Sequence, residues 1–131
     1  MTQHASGSFE ITMIPASPPD YAGRTAIGRM QLDKQYAGDL EATGKGQMLT
    51  AVTDTQGSAA YVAIERISGT LKGKKGSFVI QHAGTMSSGA QHLTVTVVAD
   101  SGTEELVGIT GTLALKMVER KHVYELDYML P

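Results

Sequence analysis

Glu65 and His82 are the two side chains of this sequence with the most chemical potential. A carboxylate beside an imidazole can exchange a proton as general acid and base, or hold the polar end of a ligand. It can also be a satisfied pair inside a core, and buried pairs of this kind need each other because an unpaired buried charge costs several kcal/mol. Burial raises a carboxyl pKa while a neighbouring imidazolium lowers it, so the net shift depends on geometry. Tyr61 and Phe78 fall on the same face if the surrounding residues are strands, and Tyr124 and Tyr128 lie on an apolar row near the C-terminus. The candidate catalytic residues are therefore Glu65 and His82. The candidate ligand-binding residues are Tyr61, Glu65, Phe78, His82, Tyr124 and Tyr128.

The hairpin that carries the pair should bring the two side chains together. Gly73 first in a two-residue loop Gly73-Lys74 suits a type II′ turn, and a four-residue loop over 72–75 gives the same pairing. In either case Glu65 faces His82 and Ile67 faces Ile80. The next turn, around Ser87-Ser88-Gly89-Ala90, sets His82 opposite Val95 and Ile80 opposite Val97. Val95 and Val97 belong to an apolar row that must point inward, so His82 and Glu65 should point inward too.

Period-two patterning extends over the whole chain. Phe9, Ile11 and Met13 alternate with polar residues, as do Met30 and Leu32, Leu93 to Val97, Leu113 to Met117, and Tyr124 to Leu130. No segment sustains helical periodicity. Strands are expected near 7–14, 25–36, 39–53, 58–71, 76–86, 91–99, 105–118 and 122–130. Glycines within long runs, such as Gly28, Gly44, Gly46, Gly108 and Gly111, read as bulges or bends. The prolines at 15, 18, 19 and 131 lie outside these strands, which leaves 15–23 as the one long connection. About eight strands permit a sandwich or an up-and-down barrel, and long strands with tight turns favour closure. Eight strands enclose an interior that side chains can fill or that one small ligand can occupy.

The remaining composition narrows the field. The 131 residues suit a single domain, 1–131, large enough for a core without staples. There are no cysteines, so no disulfide or thiolate chemistry is available, and a cytoplasmic location is expected. The N-terminus lacks the layout of a secretory signal and no apolar run would span a bilayer. Eleven basic and 13 acidic side chains give a net charge of −2 without a basic stripe, so no nucleic-acid partner is expected. The lysines at 72, 74 and 75 read as a solvated hairpin tip. His4 falls in a terminus expected to fray, His92 should face outward, and His122 begins a strand. No histidine pair has ligand spacing, and neither a nucleophile elbow nor a phosphate loop occurs, so no metal and no cofactor is expected. The outward residues Ala60, Val62, Ile64 and Val79 are apolar enough for contacts between copies of the chain.

Four stretches carry a resemblance to a known family: GDLEATGKGQML (38–49), GSAAYVAIERISGTLKGKKGSFVIQHAGTM (57–86), DSGTEELVGITG (100–111) and HVYELDYMLP (122–131). They resemble a family of small bacterial proteins of unknown function, associated with a barrel similar to plant allene oxide cyclase. The likeness covers nearly the whole chain from about residue 7, and Tyr61, Glu65, Gly76, Phe78, His82 and the turn Ser101-Gly102-Thr103 fall within it. It implies an all-β, calycin-like eight-stranded barrel and a homo-oligomer. It implies no activity, because no catalytic set of allene oxide cyclase matches positions here. The expected function is binding of a small, largely apolar ligand inside the barrel. The alternatives are a cofactor-free cyclase or isomerase acting on a hydrophobic substrate, and a filled structural or interaction module.

Overall fold

In the computed structural model the alternating segments form eight antiparallel strands closed into a barrel in chain order. Residues 1–20 and 23–131 are described, with the backbone alone at 17–19. The strands are β1 (Gln3–Asp20), β2 (Ala26–Gly38), β3 (Leu40–Val52), β4 (Ala59–Leu71), β5 (Lys74–Ser87), β6 (Ala90–Val97), β7 (Thr110–Val118) and β8 (Lys121–Met129). Closure comes from β1, which pairs with β2 on one side and, from Gln3 to Phe9, with β8 on the other. The inward-facing rows are those the alternation predicts: Phe9, Leu32, Ile67, Ile80, Val95, Leu113 and Leu126 are all buried. The apolar residues Val62 and Ile64 face outward and are half exposed.

Several details differ from the reading of the sequence. The N-terminus is paired rather than frayed: His4 lies opposite Asp127 and its Nδ1 is 2.7 Å from the Asp127 carboxylate. β1 also runs on through Pro15 to Asp20, so most of the expected connection is strand. Beyond Phe9 this strand has no β8 partner, and its register with β2 shifts between Pro15 and Ser17 and again before Asp20. A strand with one free edge and bulges can hold prolines that an interior strand cannot. Tyr21 and Ala22, part of that same connection, lie outside the described residues.

The segment expected to begin β7 at residue 105 is instead a one-turn 3-10 helix, Glu104–Leu106, followed by Gly108 at φ +85°. The whole connection from β6 to β7 folds against β5. Thr103 donates its N–H to Ser77 O, and Lys75 N–H donates to the Glu105 carboxylate. Leu106 and Ile109 are thereby driven into one end of the barrel, where they are fully buried. That end also holds Leu40, Leu71 and Phe78 and is packed solid.

The opposite end is different. β6 and β7 pair only at Thr96 and Thr112, and from there toward the opposite end they share no ladder. Residues 90–94 are exposed on both faces of β6. The barrel is therefore plugged at one end, hollow at the other, and unzipped along one seam of the hollow half.

Candidate functional site

The hairpin between β4 and β5 turns at Lys72-Gly73, with φ of +49° and +85°, the signature of a type I′ turn. This corrects the expected turn by one position and the pairing by two. Glu65 lies opposite Ile80, and His82 lies opposite Ala63. An offset of two leaves every side chain on its predicted face, so Glu65 and His82 still point inward and meet on the diagonal. His82 Nε2 donates to Glu65 Oε1 at 3.0 Å. The next hairpin has the predicted register, with His82 opposite Val95 and Ile80 opposite Val97.

Two residues complete the cluster that the sequence reading did not single out. Lys34 Nζ is 2.9 Å from the same Glu65 Oε1, and Tyr36 donates its hydroxyl to Glu65 Oε2 at 2.5 Å. Both come from β2, which is separated from β4 by β3. They reach across because β3 presents glycine at the crossing. Lys34 lies opposite Gly44, Glu65 lies opposite Gly46, and a Cβ on Gly44 would sit 2.0 Å from Glu65 Oε2. The signal was present in the sequence: Lys34 and Tyr36 continue the even-numbered inward row of Met30 and Leu32.

All members of this cluster are buried, with Lys34, Glu65 and His82 each no more than 3% exposed. Burial alone opposes ionisation of Glu65, but the His82 hydrogen bond, the Lys34 charge and the Tyr36 hydroxyl outweigh it and hold its pKa below the ordinary value. Burial, followed by the Glu65 charge, pushes the Tyr36 hydroxyl far above its ordinary range, so Tyr36 stays a donor. Lys34 also stands over the Phe9 ring, 5.1 Å from its centroid, a cation–π contact. An ionised carboxylate accepting from three donors, one of them a cation, is a satisfied arrangement.

The hollow half of the barrel opens directly above the cluster as a cavity of about 710 Å³. Lys34 and His82 form part of its lining, whereas Glu65 and Tyr36 lie behind them. The walls are mainly apolar, among them Ile11, Leu32, Met48, Leu93 and Leu115. Tyr61 lies on the wall with its ring over Gly84, where a Cβ would meet Cε1 at 2.4 Å. Burial and the nearby Glu65 charge raise the Tyr61 hydroxyl. His122 also reaches the cavity, stacked on Phe9 with ring centroids 5.0 Å apart.

The other candidates lie in the packed half and are absent from the lining. Phe78 is fully buried in the core. Tyr124 accepts from Leu40 N–H at 2.8 Å and donates toward Ala37 O at 3.0 Å, tying β8 to the turn between β2 and β3. Tyr128 donates to the Gln3 side-chain oxygen at 3.2 Å. No group of three His, Cys, Asp or Glu residues suited to a metal ion occurs among the described residues.

Fold and site together define a closed eight-stranded antiparallel barrel, hollow at one end, with a buried Lys–Glu–His–Tyr cluster at the floor of its cavity. The chain belongs to the family described as protein of unknown function, DUF3224, whose model matches residues 5–128. It is similar to a solved structure from that family, a Shewanella oneidensis protein of unknown function. The two are 40% identical with a TM-score of 0.94, and the match covers 100% of this chain and 98% of the other. No curated protein matches the chain. The closed barrel is consistent with the allene-oxide-cyclase-like architecture that the sequence resembles.

Proposed function

We propose that this protein binds a small, largely apolar molecule in the hollow half of the barrel, with the polar end of that molecule at Lys34 and His82. The observation that carries this reading is a cavity of about 710 Å³, walled by apolar side chains and floored by a buried ion cluster. Ligand pockets are typically a few hundred to about 1,000 Å³, with a few placed polar groups in an apolar surface. A core built only for stability would gain more from aliphatic side chains here, because buried ion pairs seldom repay their desolvation. Glu65 acts from behind, holding Lys34 and His82 in place, and Tyr61 contributes ring surface to the wall. Entry is along the open rim and the unpaired seam between β6 and β7. A cytoplasmic setting belongs to this reading, since a cysteine-free chain fits a reducing compartment.

The test is uptake of N-phenyl-1-naphthylamine, an apolar probe whose fluorescence rises in a dry environment. Saturable enhancement is expected for the wild-type protein, and its loss in Ile11→Trp and Met48→Trp, which fill the cavity from β1 and from β3. A wild-type protein that gives no saturable enhancement refutes the reading.

A further inference from the structure

The floor of the cavity has a polarity that binding alone does not require. Glu65 is ionised and can only accept, so in the neutral imidazole the proton shared with it sits on His82 Nε2. That leaves the lone pair on Nδ1. No described residue makes a hydrogen bond to Nδ1, yet no fully buried side-chain nitrogen or oxygen among them lacks a partner. Since His82 also lines the cavity, Nδ1 borders it. A carboxylate that fixes one ring nitrogen and leaves the other as a base toward an apolar pocket is the arrangement general-base catalysis uses. The second group at the floor is a cation. Lys34 Nζ shares Oε1 with His82 Nε2, lines the same cavity, and has three hydrogens of which Glu65 takes one. Base and cation are thus held side by side on one carboxylate oxygen, at the floor of a cavity whose walls are mainly apolar.

Resting on the binding reading above, we infer that the cavity catalyses proton transfer at the carbon next to a carbonyl group in an apolar ketone. The carbonyl oxygen takes a hydrogen bond from Lys34. His82 Nδ1 removes a proton from the adjacent carbon. The C–H electron pair becomes the carbon–carbon double bond of an enolate, and the carbonyl π pair moves onto the oxygen beside the Lys34 cation. The step reverses when Nδ1–H returns the proton, either to the same carbon or, in a β,γ-unsaturated ketone, to the γ carbon to give the conjugated isomer. Atoms and electrons balance without a co-reactant. His82 and Lys34 are the catalytic residues. Glu65 does not reach the cavity and is a positioning residue, which replaces the simpler picture of Glu65 and His82 as acid and base both touching substrate.

The experiment follows exchange of the protons flanking the carbonyl of 2-decanone in deuterium oxide by proton NMR, with N-phenyl-1-naphthylamine as a binding reference. Saturable exchange above the buffer rate is expected from the wild-type protein, suppressed when the naphthylamine occupies the cavity. His82→Gln, shown to be folded by circular dichroism, should lose about a hundredfold or more of the exchange rate. Lys34→Met should also lower it, and Glu65→Gln should lower kcat with KM little changed. Nitrogen NMR of the wild-type imidazole gives a readout independent of variant folding: 2-decanone should shift the Nδ1 resonance and leave Nε2 nearly unmoved. If 2-decanone displaces the probe but its protons exchange only at the buffer rate, or exchange survives in folded His82→Gln, the inference is overturned and the binding reading stands. If neither compound enters the cavity, both fall together.

Discussion

Glu65 places its carboxylate in space that exists only because residue 44 is glycine: a Cβ there would lie 2.0 Å from Oε2. The relationship spans adjacent strands, β3 and β4, and admits the β2 residues Lys34 and Tyr36 to the same carboxylate. With His82 reaching Glu65 from β5, the cluster is a device of four strands, β2 to β5, of which β3 contributes only the absence of a side chain.

Gly44→Ala should accordingly behave as an overpacking substitution with an electrostatic penalty. The clash is with the end of a side chain, which can swing away only by giving up its donors in a buried site. A loss of about 1–3 kcal/mol in urea unfolding is expected. A variant as stable as the wild type would show that the carboxylate has another place to go.

Lys34→Met should cost more, about 3–5 kcal/mol, because it takes the lysine cation away from the buried Glu65 carboxylate. Lys34→Met combined with Glu65→Leu should cost less than the sum of the two single changes, since the pair is then removed as a unit. The coupling is read from a double-mutant cycle, with a value of about 0.5–3 kcal/mol expected for groups in one network. Additive losses would mean that the ion pair contributes nothing of its own.

The pKa directions fix the sign of two pH effects. Glu65 has a depressed pKa in the folded protein, from an ordinary value of 4.5. The folded state then binds its proton less readily than the unfolded chain does. The stability it contributes is full above pH 4.5 and is lost as pH falls below that value. Tyr36 runs the other way: its pKa is raised from 10.0, so its contribution is full below pH 10.0 and declines as pH rises above it. Glu65→Gln should flatten the acid limb of stability against pH, and Tyr36→Phe should flatten part of the alkaline limb, each by up to about 1.4 kcal/mol per pH unit. An acid limb unchanged in folded Glu65→Gln would contradict the depressed pKa.

Hydrogen exchange should map the open seam. β3 and β4 are laddered on both sides along their lengths, whereas β6 and β7 meet at Thr96 and Thr112 alone. Seam-facing amides in 90–95 and 113–118 should exchange far faster than those of β3 and β4, whose opening approaches global unfolding. Uniform protection around the barrel would mean that the seam zips in solution.

Much of this architecture is written locally. Alternation in period two fixes which side chains of each strand share a face, and it put Glu65, His82, Phe78 and Tyr61 on one face without any tertiary information. It failed where a segment's fate depends on contacts elsewhere. Residues 105–109 are apolar enough for a strand, but Gly108 turns the chain and Leu106 and Ile109 are needed as the plug of the barrel. Pro15 reads as a strand breaker, yet β1 continues through it because β8 ends its pairing at Phe9. The turn type at Lys72-Gly73 was off by one position, and only the even size of the resulting offset kept the inward faces correct.

The sequence by itself determined about eight strands and an inward carboxylate and imidazole, because strand faces follow from a repeat two residues long. Tertiary structure alone decided that the interior is half packed and half hollow, and that a lysine and a tyrosine from β2 join the pair. Those facts depend on the register between strands, on closure of β1 with β8, and on the room left by Gly44, and such relations among distant residues have no local periodicity to announce them. For the same reason the assignment of His82 Nδ1 to the cavity, with Glu65 behind it, belongs to the folded barrel.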